Sequence, residues 1–144
     1  MFSISPSVHP SDISIFNSSC IQYKPLSLFS NRISINQCKL TGRSLTIDFY
    51  APIVEFVDNK IDTEDCLENI NGYLYKFRTE KGVVFSGNEL YGAKKENQYI
   101  VIPNEFAPEC VISGNDARQY KTFGTFGKKA NVKMSDNRLS GGNN

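Results

Sequence analysis

Apolar and polar residues alternate along much of this chain. Leu45-Thr46-Ile47-Asp48-Phe49 and Tyr73-Leu74-Tyr75-Lys76-Phe77 each place every second side chain on one apolar face, the pattern of a half-buried strand. Ala51-Pro52 interrupts the first of these and implies an edge or a bend, after which Ile53–Val57 resumes the extended run. Arg32–Leu40 reads as a strand stopped by the Thr41-Gly42 turn signal. Glu80-Lys81-Gly82 reads as a hairpin turn returning through Val83-Val84-Phe85. Tyr99–Ile102, Cys110–Ile112 and Tyr120–Phe126 are further short strands, and a looser one is expected near Ile21–Phe29. Asp62 or Thr63 can cap a short helical turn through Ile70, with Asn71-Gly72 ending it. No internal repeat is apparent. Many short strands between turn signals predict an all-β fold with one short helical turn, built as a small, sharply bent β-barrel.

The 144 residues suit one domain with tails. Residues 31–126 are assigned to the barrel. Residues 1–30, rich in Ser, Pro and Asn, form a loosely ordered N-terminal segment, and residues 127–144 a basic, disordered tail. Ten Phe and seven Tyr with no Trp make an aromatic and aliphatic core that favours strands over helices.

Net charge is only +1, but it is unevenly placed. Asp48, Glu55, Asp58, Asp62, Glu64, Asp65 and Glu68 face only Lys60 over residues 48–69. Arg118, Lys121, Lys128, Lys129, Lys133 and Arg138 face only Asp136 over residues 118–144. Part of the acidic cluster is accounted for by the favourable charge at a helix start. The basic end is either a solvated tail or a contact for an acidic partner or nucleic acid.

Candidate chemistry is sparse. Cys20, Cys38, Cys66 and Cys110 contain no CxxC pair, so neither a zinc site nor a redox motif is indicated, and reduced, core-like thiols are expected. The single histidine, His9, lies in a loose Ser/Pro stretch unsuited to a catalytic triad. Counting from Asp58, the calcium-loop positions fail at Lys60 and Asn69. Gly124-Thr125-Phe126-Gly127-Lys128-Lys129 has the wrong spacing for a phosphate loop. Asp48 and Glu55 read as outward-facing strand acids rather than a metal site. No catalytic, metal-binding or cofactor-binding residue is assigned, and no cofactor is expected. No stretch approaches the roughly 18–20 apolar residues of a membrane helix. Eleven serines and a single acid, Asp12, over residues 1–47 leave open an organellar transit peptide with a mature start near residue 45.

Two ordered sets of motifs suggest function. Tyr120-Lys121-Thr122-Phe123 followed by Lys128 and Lys129 interleaves aromatics with bases, as single-strand binders do. Separately, Ile35-Asn36-Gln37-Cys38, Phe49-Tyr50-Ala51-Pro52, Phe85-Ser86-Gly87-Asn88-Glu89-Leu90-Tyr91-Gly92, Ile100-Val101-Ile102-Pro103, Cys110-Val111-Ile112 and Tyr120-Lys121-Thr122-Phe123-Gly124 occur in that order. In this the chain resembles the non-catalytic C subunit of the eukaryotic type 2 ribonuclease H complex. It departs from that family at Ser86 and Asn88, where arginines are usual, at Gln37 for proline and at Phe123 for tryptophan. The C-terminal helix has no counterpart.

The resemblance implies a nuclear, non-catalytic scaffold. Its barrel would interlace with a B subunit into a joined triple-barrel body holding the catalytic A subunit. The complex would cut RNA in RNA/DNA hybrids and remove ribonucleotides embedded in DNA. Phe85, Gly87, Leu90, Gly92, Ile100, Ile102, Pro103, Tyr120 and Phe123 would then be structural or partner-interface residues, and Lys128 and Lys129 possible nucleic-acid or partner contacts. The alternative is a self-sufficient, OB-type, single-stranded nucleic-acid-binding module.

Overall fold

A computed structural model describes residues 11–66, 73–92, 98–140 and 142–143. The strands follow one another in coils of three. The first coil is β1 (Ile13–Phe16), β2 (Ser19–Gln22) and β3 (Leu26–Phe29). The second is β4 (Arg32–Asn36), β5 (Lys39–Gly42) and β6 (Ile47–Tyr50), and the third β7 (Ile53–Val57), β8 (Lys60–Asp62) and β9 (Tyr73–Arg78). Then come β10 (Gly82–Ser86), β11 (Glu89–Tyr91) and β12 (Gln98–Ile102), followed by β13 (Glu109–Ser113), β14 (Asp116–Ala117) and β15 (Gly124–Phe126). A sixth coil begins with β16 (Asn131–Ser135) and β17 (Arg138–Leu139), and β18 (Gly142–Asn143) closes the series.

Each strand pairs in parallel with the strand three places along. The result is three sheets in the orders β1-β4-β7-β10-β13-β16, β2-β5-β8-β11-β14-β17-β18 and β3-β6-β9-β12-β15. Only β18 runs antiparallel, against β17. The architecture is a parallel β-solenoid whose three flat walls enclose one continuous core. At about 4.8 Å per coil it is a rod roughly 25–30 Å long.

Each coil turns from the first wall to the second at a two-residue corner. The leading residue is left-handed: Asn17, Gln37, Asp58, Gly87, Gly114 and Asp136 all have φ between 49° and 66°. These corners recur at intervals of roughly 20–29 residues, the spacing of a solenoid repeat. The residues two and four before each corner point inward, as Val54 and Phe56 or Val83 and Phe85 do.

After the left-handed residue comes the ladder position, occupied by Ser18, Cys38, Asn59, Asn88, Asn115 and Asn137. The last four are fully buried and joined end to end. Asn59 Nδ2 donates to Asn88 Oδ1 at 3.0 Å, Asn88 Nδ2 to Asn115 Oδ1 at 3.1 Å, and Asn115 Nδ2 to Asn137 Oδ1 at 2.9 Å. Each Nδ2 also donates to a strand carbonyl of the preceding coil, at Ile35, Phe56, Phe85 and Ile112. Backbone N–H groups of Cys38, Asn59, Asn88 and Asn115 donate to the next Oδ1 along. The ladder thus satisfies backbone groups that a corner would otherwise leave buried and unpaired.

Aromatic rings stack within the core in the same direction. Phe56 and Phe85 lie parallel at 5.3 Å, Phe49 and Phe77 at 5.0 Å, and Tyr75 fills the space between the two columns, 4.8 Å from Phe56. Such pairs add about 0.5–1.5 kcal/mol beyond the area they bury.

The solenoid overturns the barrel expected from sequence. No wall closes on itself, so the bent barrel and the interlaced triple-barrel body are both set aside. The physical reason lies in the connections. Glu80-Lys81-Gly82 was read as a hairpin, but it is a corner that carries the chain from the third wall to the first, leaving β9 and β10 in different sheets. Arg32–Leu40 is two strands, broken at the left-handed Gln37. A repeat is present where none was apparent. The expected helical turn at residues 62–70 lies partly outside the described residues, and its described part, Thr63–Cys66, is a turn in which Cys66 N–H donates to Thr63 O. Residues 11–29 and 131–139, expected outside the folded body, supply the first and last coils.

Candidate functional site at the first coil

The residues singled out from sequence are dispersed by the solenoid. Phe85, Leu90, Ile100 and Ile102 project into the core from three walls, and Tyr120 and Phe123 fill the corner between the second and third. The Tyr120 hydroxyl lies 2.9 Å from Thr63 Oγ1. Both rings are 1% exposed, so neither can stack on a base, and the OB-type arrangement fails on this ground as well as on the fold. Gly87 is one of the left-handed corner residues. Gly92, at φ 133°, follows β11 where a Cβ would meet the Thr63–Glu64 backbone. Pro103 follows β12. Lys128 and Lys129 are exposed in the turn between β15 and β16, away from those aromatic rings, and Lys128 N–H donates to Asn104 Oδ1. His9 lies outside the described residues.

The outer walls are largely self-satisfied. Glu55 on the first wall takes Arg32 and Ser34 as partners, while Asp48 on the third accepts from the Tyr73 hydroxyl at 2.9 Å. These two acids therefore sit on different walls. Lys76 lies over the Tyr73 ring, and Phe29, Tyr50 and Arg78 form an outward stack with the Phe29 and Tyr50 centroids 4.3 Å apart. On the second wall Lys60 is in register with Glu89, and Asp116 with Arg138. The Arg118 guanidinium beside Asp116 holds its carboxyl below the usual range. Among the described residues no three His, Cys, Asp or Glu side chains gather as metal ligands. Among them there is no helix long and apolar enough to cross a membrane.

The first coil differs from the rest. β1, β2 and β3 are the terminal strands of the three sheets, so each has one edge that no strand of the described residues pairs. Five of the large apolar side chains that stand exposed belong to it: Phe16, Ile21, Tyr23, Leu26 and Phe29. Above the core, beside Ile21, Tyr23 and Leu26, opens a largely apolar cavity of about 350 Å³ that Ile15, Cys20, Leu28 and Ile47 also line, with Gln22 and Lys24 at its margin. Over residues 11–30 the only charges are Asp12 and Lys24. Open strand edges, exposed apolar side chains and a hydrophobic hollow coincide on one end, which is the composition of a docking surface. The sequence reading saw a loose strand in this stretch. The informative signal was Ile21-x-Tyr23-x-x-Leu26-x-x-Phe29, too apolar for a solvated segment.

Burial shifts the interior acids upward. It pushes the Cys110 thiol to about 12, helped by the carboxylate of Glu109, and raises the Tyr75 and Tyr120 hydroxyls. Tyr73 is pushed to about 12 by burial and then by its hydrogen bond to Asp48. The unfolded chain releases these protons at lower pH than the folded one. Their contribution is therefore intact below the ordinary thiol value of 9.0 and is lost as pH climbs toward about 12. Denaturant midpoints at about pH 8, 10 and 11 should fall in that order, and Cys110→Ala should flatten the part of the decline that begins near 9.

No family model matches the chain, and neither the curated proteins nor the solved structures contain a significant match to it.

Proposed function

We propose that the chain is a non-catalytic assembly module, a rigid solenoid rod joined to a partner through its first coil. The observation that supports this is the convergence of three open strand edges with Phe16, Ile21, Tyr23, Leu26 and Phe29 on a single end. Strand addition at an edge supplies backbone hydrogen bonds, and the apolar side chains supply the buried area. The rod provides the rigidity, because each coil is locked to its neighbours by the asparagine ladder and the stacked rings.

This proposal keeps only the general form of the scaffold reading suggested by the ribonuclease resemblance. Its specific form has the A and B subunits as partners, an RNA/DNA hybrid as substrate of the complex, and a nuclear location. That form keeps the order of the motifs in its favour and loses the barrel on which the interlacing depended. Cleavage near residue 45 to remove a transit peptide would strip away β1–β5 and expose the core faces of Ile47 and Phe49.

Ile21 and Tyr23 are 64% and 67% exposed, so Ile21→Lys/Tyr23→Lys can be made without disturbing the core. Tagged chain isolated from its own cells should sediment as an assembly, and this variant should sediment as a monomer with an unchanged circular dichroism spectrum. An assembly of the same size in both would sink the proposal. Co-isolated hybrid-cleaving activity would assign the partner to the ribonuclease complex.

A further inference from the structure

The first-coil reading can be taken one step further. We infer that the partner on this end is a second copy of the same chain, docked head to head about a two-fold axis. The inference rests on the docking reading and names its occupant.

The shape of the surface restricts the choice. Three edges set around a three-walled core are matched by three edges in the same arrangement, and the end of a solenoid carries such a set. Each of β1, β2 and β3 has four residues, so every pairing among them is matched in length. A two-fold axis perpendicular to the rod reverses strand direction. The edges therefore meet antiparallel, the pairing that is slightly more stable per residue. One wall continues into its own copy while the other two exchange partners. The two hollows merge into one sealed apolar compartment.

The opposite end of the rod does not fit. There β17 is covered by β18 in the antiparallel sense, so only β15 and β16 end their sheets with no further described strand and the set of three open edges is incomplete. None of the exposed large apolar side chains lies in residues 118–140, a stretch that carries Arg118, Lys121, Lys128, Lys129, Lys133 and Arg138. A head-to-tail stack would bury Ile21 and Tyr23 against bases. Head to head, the interface holds one acid and one base per copy, Asp12 and Lys24, an arrangement that is neutral and self-complementary.

The test uses the purified full-length chain. Sedimentation equilibrium across micromolar concentrations should show a monomer–dimer equilibrium that stops at two, and Ile21→Lys/Tyr23→Lys should weaken it at least 100-fold. Orientation is read with nitroxide labels in a Cys20→Ser background, where Cys38, Cys66 and Cys110 are too buried to label. Ser27→Cys labels on the first coil should give short separations, and Ser135→Cys labels on the last coil separations of about 50 Å, two rod lengths. An open-ended series of oligomers would mean head-to-tail stacking and overturn the inference. A monomer at every concentration would also overturn it. If β1–β3 amides of that monomer resist exchange, the chain's own residues 1–10 cover the end. If they exchange freely while the cellular assembly still depends on Ile21 and Tyr23, the docking reading stands with a different partner.

Discussion

Asn88→Ala should cost about 3–5 kcal/mol, enough to leave the chain partly unfolded at 37 °C. The side chain sits at zero exposure in the middle of the ladder. Its amide oxygen accepts from the Asn59 backbone N–H and from Asn59 Nδ2, both at 3.0 Å. Its amide nitrogen donates to Phe56 O at 2.9 Å and to Asn115 Oδ1 at 3.1 Å. Truncation takes from the buried Asn59 backbone N–H its acceptor and from the Phe56 carbonyl a donor, each at about 1–3 kcal/mol, and weakens the bonds on both sides. Asn88→Asp is a useful companion. It keeps the acceptor but loses the donor and places a charge in the core, so it should be at least as damaging. A double-mutant cycle with Asn115→Ala should show coupling of about 1 kcal/mol or more. Additive single effects, or an Asn88→Ala midpoint within error of the wild type, would mean that the ladder does not carry the corner.

Leu90→Asp should be comparably severe, at about 4 kcal/mol or more. Leu90 is 3% exposed and lies between Ile61 of the preceding coil and Ala117 of the following one. An aspartate there loses the apolar transfer energy and buries a carboxylate among described core residues that include no lysine or arginine. Leu90→Ala separates the two contributions, since it should cost only about 2–4 kcal/mol. The ribonuclease resemblance put Leu90 among structural or partner-interface residues, where this substitution would act on an assembly. In the solenoid its first effect is on the chain itself, because the second wall must pass through this position to continue. Circular dichroism of the isolated variant distinguishes the outcomes. Loss of strand signal supports the solenoid interior, and a folded chain would place Leu90 on a surface.

The individual strands were legible, and their pairing was not. Ile53–Val57 was identified with its boundaries as found, and the alternation in Tyr73–Phe77 correctly buried Tyr73, Tyr75 and Phe77. Alternation reports which side of a sheet faces the core, and both a barrel and a solenoid satisfy it. What separates them is whether a connection reverses the chain or turns it through a corner. Glu80-Lys81-Gly82 carries the same residue types in either case. The decisive signal was the recurring pair of a left-handed residue and an asparagine at Asp58-Asn59, Gly87-Asn88, Gly114-Asn115 and Asp136-Asn137. It was obscured by uneven coil lengths. Four residues separate β5 from β6, but residues 63–72 separate β8 from β9, so a search at fixed period passes over the repeat. Asn88 itself was in view, as a departure from an arginine motif, when its meaning lay in its equivalence to Asn59 and Asn115. The exposed first coil was hidden for a different reason. Which apolar residues lack a neighbour depends on where the stack of coils ends, and no local pattern encodes that.

The ladder also makes length a free variable. Asn88 and Asn115 each accept from the asparagine amide of the coil before and donate to the amide oxygen of the coil after, so a coil placed between two others meets on each side what its neighbours already present to each other. Copying residues 115–136 in tandem would add one ladder asparagine, one left-handed corner and one rung to each wall, with no new kind of contact required. Growth by duplication of a single coil would therefore extend the rod by about 4.8 Å a step without redesign, and the same property lets material accumulate in the turn after the second wall while the register of the walls stays fixed.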